Sequence, residues 1–534
     1  MSDKLLDRRI GASSSLALTA MVLFLLGVLI SSAIGAPAAD GLWITRVTPL
    51  GGASTPFDRL EIQFSGAVLS GTFTLDDVSL GGPGGTITPT ALNQLAANRY
   101  ELVTGGTGLN TYSLAIGPDV RDLSNLPMDQ NHNGTPGEPN DAYGGALFSA
   151  GVVITDTQAT YEGQNLIIYG NNATINGAHT FASVAVLGGA TLAHSPTTAN
   201  TEYRLELTIT DTLWITAGAK IDVSGRGYLP GYTVGLTTTG GATVGAGGSY
   251  GGLGHSATYD GDGQPNTTYG DYRNPNELGS GRGPGWGYAG AGAGGGLARI
   301  TAGTAIIEGS LLANGENGRC DHFRDAAGSG GGILLNVGVL SGNGLIAANG
   351  GNGICNGGAG GGGRVAVYYD DVASFDLLAN VRAHGGDGGA GPGAVGTVYL
   401  KRNNGEGVLR IDSHGAVTGM WTPLGQSSES IFVVDHLIIS GTSVIAAPEH
   451  DMPIQANNVS IYSGANLTHQ PATITDTYSL QLNITGTLLI STTGKIDVSA
   501  RGYLAGRTLG NTTVGGATVG AGGSYGGLGH SATY

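Results

Sequence analysis

The chain has 534 residues, of which 99 are glycine, 12% are charged and 40% are hydrophobic. The glycine content is far above the usual level of about 7%, yet the strict period of collagen is absent, and the hydrophobic content suffices for a core, which excludes a wholly disordered chain. A formal net charge of −16 with only four lysines excludes a basic surface for nucleic acid, so nucleic acid is not an expected partner.

The first 38 residues have the features of an export signal. Basic residues are followed by an apolar run over residues 16–30 and by Ala36-Pro37-Ala38, a small-residue cleavage site. The apolar run is long, so a retained single-span anchor is the alternative to a cleaved signal peptide. Both interpretations place the residues after about 39 outside the cytoplasm, in a secreted or cell-surface protein that meets a membrane only through this segment.

Residues 39–150 show short strand patterns separated by turns. Apolar and polar residues alternate over 60–64, and regular strand spacing with Gly and Pro turns predicts a small β-sandwich. The letters at 57–68, 72–80 and 112–128 resemble bacterial Ig-like modules of secreted and surface-layer proteins. The resemblance implies an Ig-like sandwich that acts as a spacer or binding platform and carries no catalytic residues.

An oxygen-rich segment, D-Q-N-H-N-G-T-P-G-E-P-N-D, ends this region at residues 129–141. Its alternating Asp and Asn residues before Gly134 fit the opening of a calcium loop, in which alternate oxygen ligands surround a hard cation. The expected acidic residue at the twelfth place is Asn140, and no flanking helices are indicated. An Asx-rich linker with local turn bonds is the alternative to calcium binding. The candidate ligands are Asp129, Asn131, Asn133, Glu138 and Asp141.

A large unit is repeated in the rest of the chain. Residues 190–259 match residues 465–534 at 47 of 70 positions without a gap, at an offset of 275 residues. Repeated units bury their apolar faces against one another. We therefore divide this region into a first unit over 151–428 and a truncated second unit over 429–534, and we expect the natural protein to be longer.

A shorter period of 35 residues lies within the first unit. Similar glycine-containing phrases begin at Ala313, Ala348 and Ala383, and Cys320 and Cys355 share the same spacing. Each period begins with a β-run, which predicts stacked coils with alternate side chains buried on one face. Stacking would bring the two cysteines together, and an exported chain can oxidise them. Free thiols or half of a metal site are the alternatives.

The glycine-rich stretches are predicted to be loops that leave the coils at matching corners, because glycine accepts positive φ and permits close backbone approach. Packed polyglycine-like helices over 357–363 are the alternative. The phrases at 179–194, 220–228, 247–254 and 360–369 resemble Gly-rich, β-helix-like repeats of very large secreted or surface proteins of environmental bacteria. That resemblance implies surface structure or adhesion. The predicted fold class is all-β: an N-terminal Ig-like β-sandwich followed by a parallel β-solenoid with long Gly-rich loops.

A charged set recurs in both copies of the repeat. Lys, Asp and Arg alternate along one strand face, which suggests a glycan-facing or lyase-like patch; a self-neutralising outer ladder is the alternative. An Asp-Gly-Asp turn is a second calcium candidate and is equally explained by the turn preference of Asp-Gly. The patch residues are Lys220, Asp222, Arg226, Lys495, Asp497 and Arg501, and the turn residues are Asp260 and Asp262.

The sequence contains no nucleophile elbow, zinc-binding His motif or phosphate-binding loop. We expect a non-catalytic extracellular or cell-surface protein, structural or adhesin-like, that presents Gly-rich loops on a stalk to glycan, matrix or neighbouring cells. The alternatives are a β-helix polysaccharide lyase or glycoside hydrolase, a carbohydrate-binding module of a larger enzyme, and an ice- or mineral-binding solenoid, which needs a flat Thr array. Calcium is the one cofactor expected.

Overall fold

The described part of the chain is almost entirely β, which confirms the all-β class. Its one α-helix, α1 (Leu377–Asn380), has four residues. The predicted signal segment, residues 1–38, lies outside the described residues. The structure is a computed structural model, and it describes residues 41–51, 56–257, 263–284, 291–320 and 325–531.

Two antiparallel sheets enclose one core at the N-terminal end. Alternating apolar residues point inward from β2 and from β7, and Leu60, Ile62 and Leu114 are buried there. The first sheet has the order β1-β2-β6-β5, and in the second β3 pairs with β4 and β7. The strands are β1 (Ile44–Leu50), β2 (Arg59–Phe64), β3 (Val78–Gly82), β4 (Gly85–Ile87), β5 (Ala91–Ala96), β6 (Arg99–Val103) and β7 (Thr111–Ile116).

The second of these sheets continues into a long parallel stack. Strand β8 (Tyr143–Phe148) is antiparallel to β7 but parallel to β10 (Asn165–Tyr169), so no edge separates the two regions. The other strands of this long sheet, up to the reversal described below, are β12 (Gly177–Phe181), β13 (Ser183–Leu187), β15 (Leu205–Ile215), β17 (Leu297–Ile307), β19 (Gly332–Ser341), β21 (Arg364–Val372) and β23 (Thr397–Arg402).

Each turn of the chain adds a second, short strand beside the long one. These short strands form their own seven-stranded parallel sheet, and the apolar residues of both sheets share one core. The short strands are β9 (Val152–Ile154), β11 (Asn172–Ile175), β14 (Thr191–Ala193), β16 (Lys220–Asp222), β18 (Ser310–Leu312), β20 (Leu345–Ala347) and β22 (Val381–Arg382).

The 35-residue period of the sequence is a stacking register. Leu311 of β18 lies opposite Ile346 of β20, which lies opposite Val381 of β22. The same offset is repeated by side chains: Asn314 Oδ1 accepts from the Asn349 amide at 2.8 Å, and Asn349 and Asn352 repeat the bond one coil further on. Alternate burial therefore sets the register, and amide ladders reinforce it.

The disulfide predicted from this period is confirmed. Cys320 and Cys355 are bonded, with their Cα atoms 5.8 Å apart, and the two residues are 35 positions apart in sequence. They sit at the ends of two stacked segments, beyond the asparagine ladder. The bridge ties one coil to the next.

The core changes sides where the chain reverses direction. Strand β24 (Gly407–Asp412) pairs antiparallel with β23, and Leu409 lies opposite Tyr399, whose side chain is on the outer face of the first stack. Parallel stacking then resumes on that face, around a second core. The remaining strands are β25 (Trp421–Leu424), β26 (Phe432–Ser440), β27 (Ile445–Pro448), β28 (Ile454–Ile461), β29 (Asn466–Leu467), β30 (Leu482–Ile484), β31 (Leu488–Ile490) and β32 (Lys495–Ile496).

The glycine-rich stretches pack against one another beside the first stack. None of the amides of residues 358–363 donates within its own segment, and amides three residues apart donate to the same neighbour, as in an extended helix with three residues per turn. The amides of Gly358 and Gly361 donate to residues 245–248, those of Ala359 and Gly362 donate to residues 391–394, and those of Gly360 and Gly363 donate to residues 348–351.

We call this array the glycine layer; it comprises residues 245–254, 279–283, 292–296, 313–318, 325–331, 348–353, 357–363 and 383–396. Residues 357–363 are all buried. A Cβ atom on Gly361 would overlap the carbonyl oxygen of Gly252, so these backbones meet at a distance that only glycine allows. The prediction of loops leaving the coils is therefore wrong here, because the backbone groups bond to each other rather than to water.

Candidate functional site

The first charged patch lies on β16 and is neutralised internally. Lys220 Nζ is 2.7 Å from Asp222 Oδ2, and the Ser224 amide donates to Asp222 Oδ1. Burial acts to raise the pKa of Asp222, but the hydrogen bonds from Lys220 and Ser224 hold that pKa below its usual value. Arg226 is partly buried and donates to the backbone carbonyl of His194 at 2.6 Å. The four polar groups thus satisfy one another or the backbone.

The second patch repeats the arrangement on another sheet. Lys495 Nζ is 2.7 Å from Asp497 Oδ2, and the hydrogen bond from Lys495 lowers the pKa of Asp497 well below its ordinary range. Arg501 is partly buried. Strand β32 belongs to the β25-β27-β29-β32 sheet, whereas β16 belongs to the seven-stranded sheet. The structure therefore keeps the two predicted patches separate.

The predicted calcium residues at 129–141 form one hydrogen-bonded loop. Asp129 Oδ1 and Oδ2 accept from the amides of Asn133 (3.1 Å) and Gly134 (2.9 Å). Asn133 Nδ2 donates to Glu138 Oε2 at 2.8 Å, and the Glu138 amide donates to Asp141 Oδ2 at 2.8 Å. Asn131 Oδ1 also accepts from the Asn133 amide. The other calcium candidates, Asp260 and Asp262, lie outside the described residues.

A cleft of about 180 Å³ lies between β1 and the outer face of the long sheet. Trp214 forms one wall; its ring centre is 3.9 Å from the guanidinium carbon of Arg46, and its Nε1 donates to Glu308 at 3.3 Å. Ring, guanidinium and polar groups therefore share a concave surface. Besides Arg46, the polar side chains that line it are Thr45, Gln63, Tyr143, Asn165, Ser183, Asp211 and Thr212.

Two carboxylates, Glu202 and Glu277, interact electrostatically beside the long connection between β16 and β17. Glu202 accepts from the Tyr228 hydroxyl at 2.8 Å and from Arg204 at 3.3 Å. Burial, and then the negative charge of Glu202, raises the pKa of Glu277. A raised carboxyl pKa is a property of catalytic acids, and also of carboxylates that are merely crowded in a structure.

Threonine does form a short column on the exposed face of the long sheet. Thr180, Thr208 and Thr301 are register partners on successive strands, and Asn336 takes the next place. The column has three rungs of threonine. It does not extend along the stack as a flat Thr array would.

No protein-family model, curated protein or solved structure matches this chain. Within the described residues, no helix is long and apolar enough to cross a membrane. Nor do three His, Cys, Asp or Glu side chains of this part cluster as metal ligands.

Sequence reasoning missed the Trp214 cleft and the Glu202–Glu277 pair. Arg46 and Trp214 are 168 positions apart, and Glu202 and Glu277 are 75 positions apart. No local motif marks such distant partners. The only available signal was that Trp214 breaks the repeat, since residue 489 in the second copy is Leu.

Proposed function

We propose that this chain is a structural, non-catalytic module of an exported protein, in which an Ig-like sandwich precedes a parallel β-solenoid stalk. The observation that carries the proposal is that the strands of successive coils and the segments of the glycine layer stack in the same register. Strands, asparagine side chains and glycine backbones all repeat from coil to coil, and consecutive coils are cross-linked by Cys320–Cys355. Such repetition supports a rod that resists deformation.

The surface that this module would present differs from the sequence expectation. Because the glycine layer is buried, an adhesin-like role would use the outer face of the long sheet and the sandwich. The disulfide supports export, since such bonds persist in oxidising compartments.

Two measurements on the purified chain test the structural role. Small-angle scattering is expected to give an elongated particle, and reduction of the disulfide is expected to lower the unfolding temperature. Incubation with uronic polysaccharides is expected to release no unsaturated or reducing ends. Sugar release that is lost in Glu277→Gln but retained in the control Glu61→Gln would replace this proposal with the lyase or hydrolase alternative.

The Trp214 cleft favours a second candidate function, glycan binding. Aromatic rings with nearby amide, hydroxyl and carboxylate groups suit the apolar faces and hydroxyl groups of sugars. At about 180 Å³ the cleft is smaller than the roughly 300–1,000 Å³ of drug-sized pockets, and it would suit a ligand of about one sugar ring. The chain would then combine a stalk with one binding point near its sandwich.

A glycan array with Trp214→Ala tests this second candidate. Trp421, a partly buried tryptophan on β25, supplies the matched control Trp421→Ala. Binding that is lost only in the Trp214 variant would support the candidate. Binding that both variants retain would exclude the cleft.

A further inference from the structure

We propose that residues 129–141 bind a calcium ion that stiffens the joint between the sandwich and the parallel stack. The loop connects the two regions: it follows β7 of the sandwich and leads directly into β8, the first strand of the stack. It is also fastened to the start of the chain, because the Asp129 amide donates to the Leu42 carbonyl at 2.9 Å. An ion held here would act on the joint itself.

The charges of the loop are buried without a counter-charge. Asp129 and Asp141 are both 0% exposed. Among the described residues, their hydrogen-bond partners are backbone amides, and no basic side chain pairs with either one. Burying an ionised carboxylate is costly unless a cation or a full set of hydrogen bonds compensates. A bound cation would supply that compensation.

One oxygen in particular lacks a partner. Asp141 Oδ1 is buried and accepts no hydrogen bond. Its sister atom, Oδ2, accepts from the Glu138 amide of the same loop. The hydrogen bond to Oδ2 holds the Asp141 carboxylate against the loop, and its other oxygen is left buried without a donor. This is the unsatisfied acceptor that a cation would meet.

The donor atoms favour calcium over other metals. The loop offers carboxylate, amide and backbone oxygens, whereas zinc sites use Cys and His. Its one histidine, His132, stacks edge-on against Trp43 at 4.8 Å. Since three acidic side chains do not cluster here, the oxygens of Asn131 and Asn133 would have to complete a shell of six to eight ligands. Magnesium is less suited, because it demands a tighter octahedron and retains water.

The site is expected to be weak, as in extracellular modules with a Kd of roughly 10⁻⁴–10⁻³ M. It departs from the EF-hand pattern at the twelfth place, where Asn140 replaces an acidic residue, and supplies Asp141 at the thirteenth. Because Asp141 belongs to a 3₁₀ turn (Pro139–Asp141) that ends just before β8, ion binding would order this turn together with the loop.

The experiment uses the chain stripped with EGTA and titrated with CaCl₂ or MgCl₂. Calcium is expected to raise the unfolding temperature by about 5 °C at saturation and to slow amide exchange over residues 128–148. Asp129→Asn and Asp141→Asn should abolish both effects. Asp122→Asn is the matched control, because Asp122 also caps a turn by accepting two amides but is partly exposed.

A gain-of-function variant keeps the test informative should the Asp variants fail to fold. Asn131 is exposed, and Asn131→Asp adds a carboxylate at the third place of the loop, so calcium affinity should tighten by about fivefold. Three results would each overturn the proposal: no calcium binding by the unaltered chain, an equal response to magnesium, or unchanged affinity in Asn131→Asp.

Discussion

Residues 190–259 and 465–534 carry nearly the same letters in two different settings. The first copy is covered by the next coil, β17 and β18, and by the glycine layer; no described residue covers the second copy in that way. Ile215 and Tyr228 are 0% exposed in the first copy, whereas their counterparts Ile490 and Tyr503 are each 43% exposed. The repeated sequence thus specifies an apolar surface. Whether that surface is buried depends on whether a neighbouring coil packs against it.

The largest difference between the copies in the effect of a substitution on unfolding free energy is expected at a glycine. A Cβ atom on Gly251 would overlap the Gly363 carbonyl, whereas on its counterpart Gly526 it would meet nothing within 4 Å. Gly251→Ala should cost about 4 kcal/mol or more, since two hydrogen-bonded backbones must separate. Gly526→Ala should be nearly neutral. Chemical denaturation of the two variants measures the contrast, and equal losses would show that the glycine layer does not pack as described.

An aromatic residue gives the next contrast. Tyr228 is fully buried and donates to Glu202, so Tyr228→Ala should cost about 3–4 kcal/mol through the cavity and the lost bond. Tyr503→Ala removes a half-exposed ring and should cost under about 1 kcal/mol. Thermal unfolding of both variants provides the measurement. A loss at Tyr503 as large as that at Tyr228 would contradict this interpretation.

Acid should weaken the covered copy through His194. Burial lowers the pKa of this histidine to about 4, and its Nε2 accepts from the Leu297 amide of the covering coil. Because the folded-state pKa is below the ordinary 6.5, the contribution is complete above pH 6.5 and is lost as the pH falls towards 4. The loss amounts to about 3 kcal/mol. His194→Asn should flatten the dependence of stability on pH between 6.5 and 4; an unchanged slope would contradict the assignment.

The smallest effect concerns one turn. Gly225 has φ +64°, and its counterpart Ala500 adopts φ +57°, a strained value for alanine. Ala500→Gly should therefore stabilise the second copy by about 0.5–1 kcal/mol, and Gly225→Ala should destabilise the first by about 1 kcal/mol. Urea unfolding should show changes in unfolding free energy of opposite sign for the two variants. Changes of the same sign would show that the two copies do not adopt the same turn here.

Much of the stacking could be predicted from the sequence, and the physical reason is visible at particular residues. Alternation of apolar residues, as in Ile333, Leu335 and Val337, sets which face of a strand is buried, and the 35-residue spacing then brings Cys320 to Cys355. The calcium prediction for the segment that begins at Asp129 could be made for a related reason, because its ligand-type residues are close in sequence; it stays a prediction.

The glycine layer could not be assigned in the same way, because glycine has no side chain whose pattern would reveal its neighbours. Only the positions of backbone donors distinguish a packed segment such as 357–363 from a loop. The change of core side at β23–β24 was also hidden, since Val398 and Tyr399 are both apolar enough to be buried. The cleft beside Trp214 depends on how β1 meets the stack, which no local signal encodes.

Because residues 358–363 of the glycine layer hold their neighbours through main-chain groups, a further coil stacked against them would require no new side-chain fit there. Gene duplication in whole-coil steps could therefore change the reach of such a protein while leaving its joints intact. The same stretches would resist exchange of their amide protons, although their composition is that of a flexible linker.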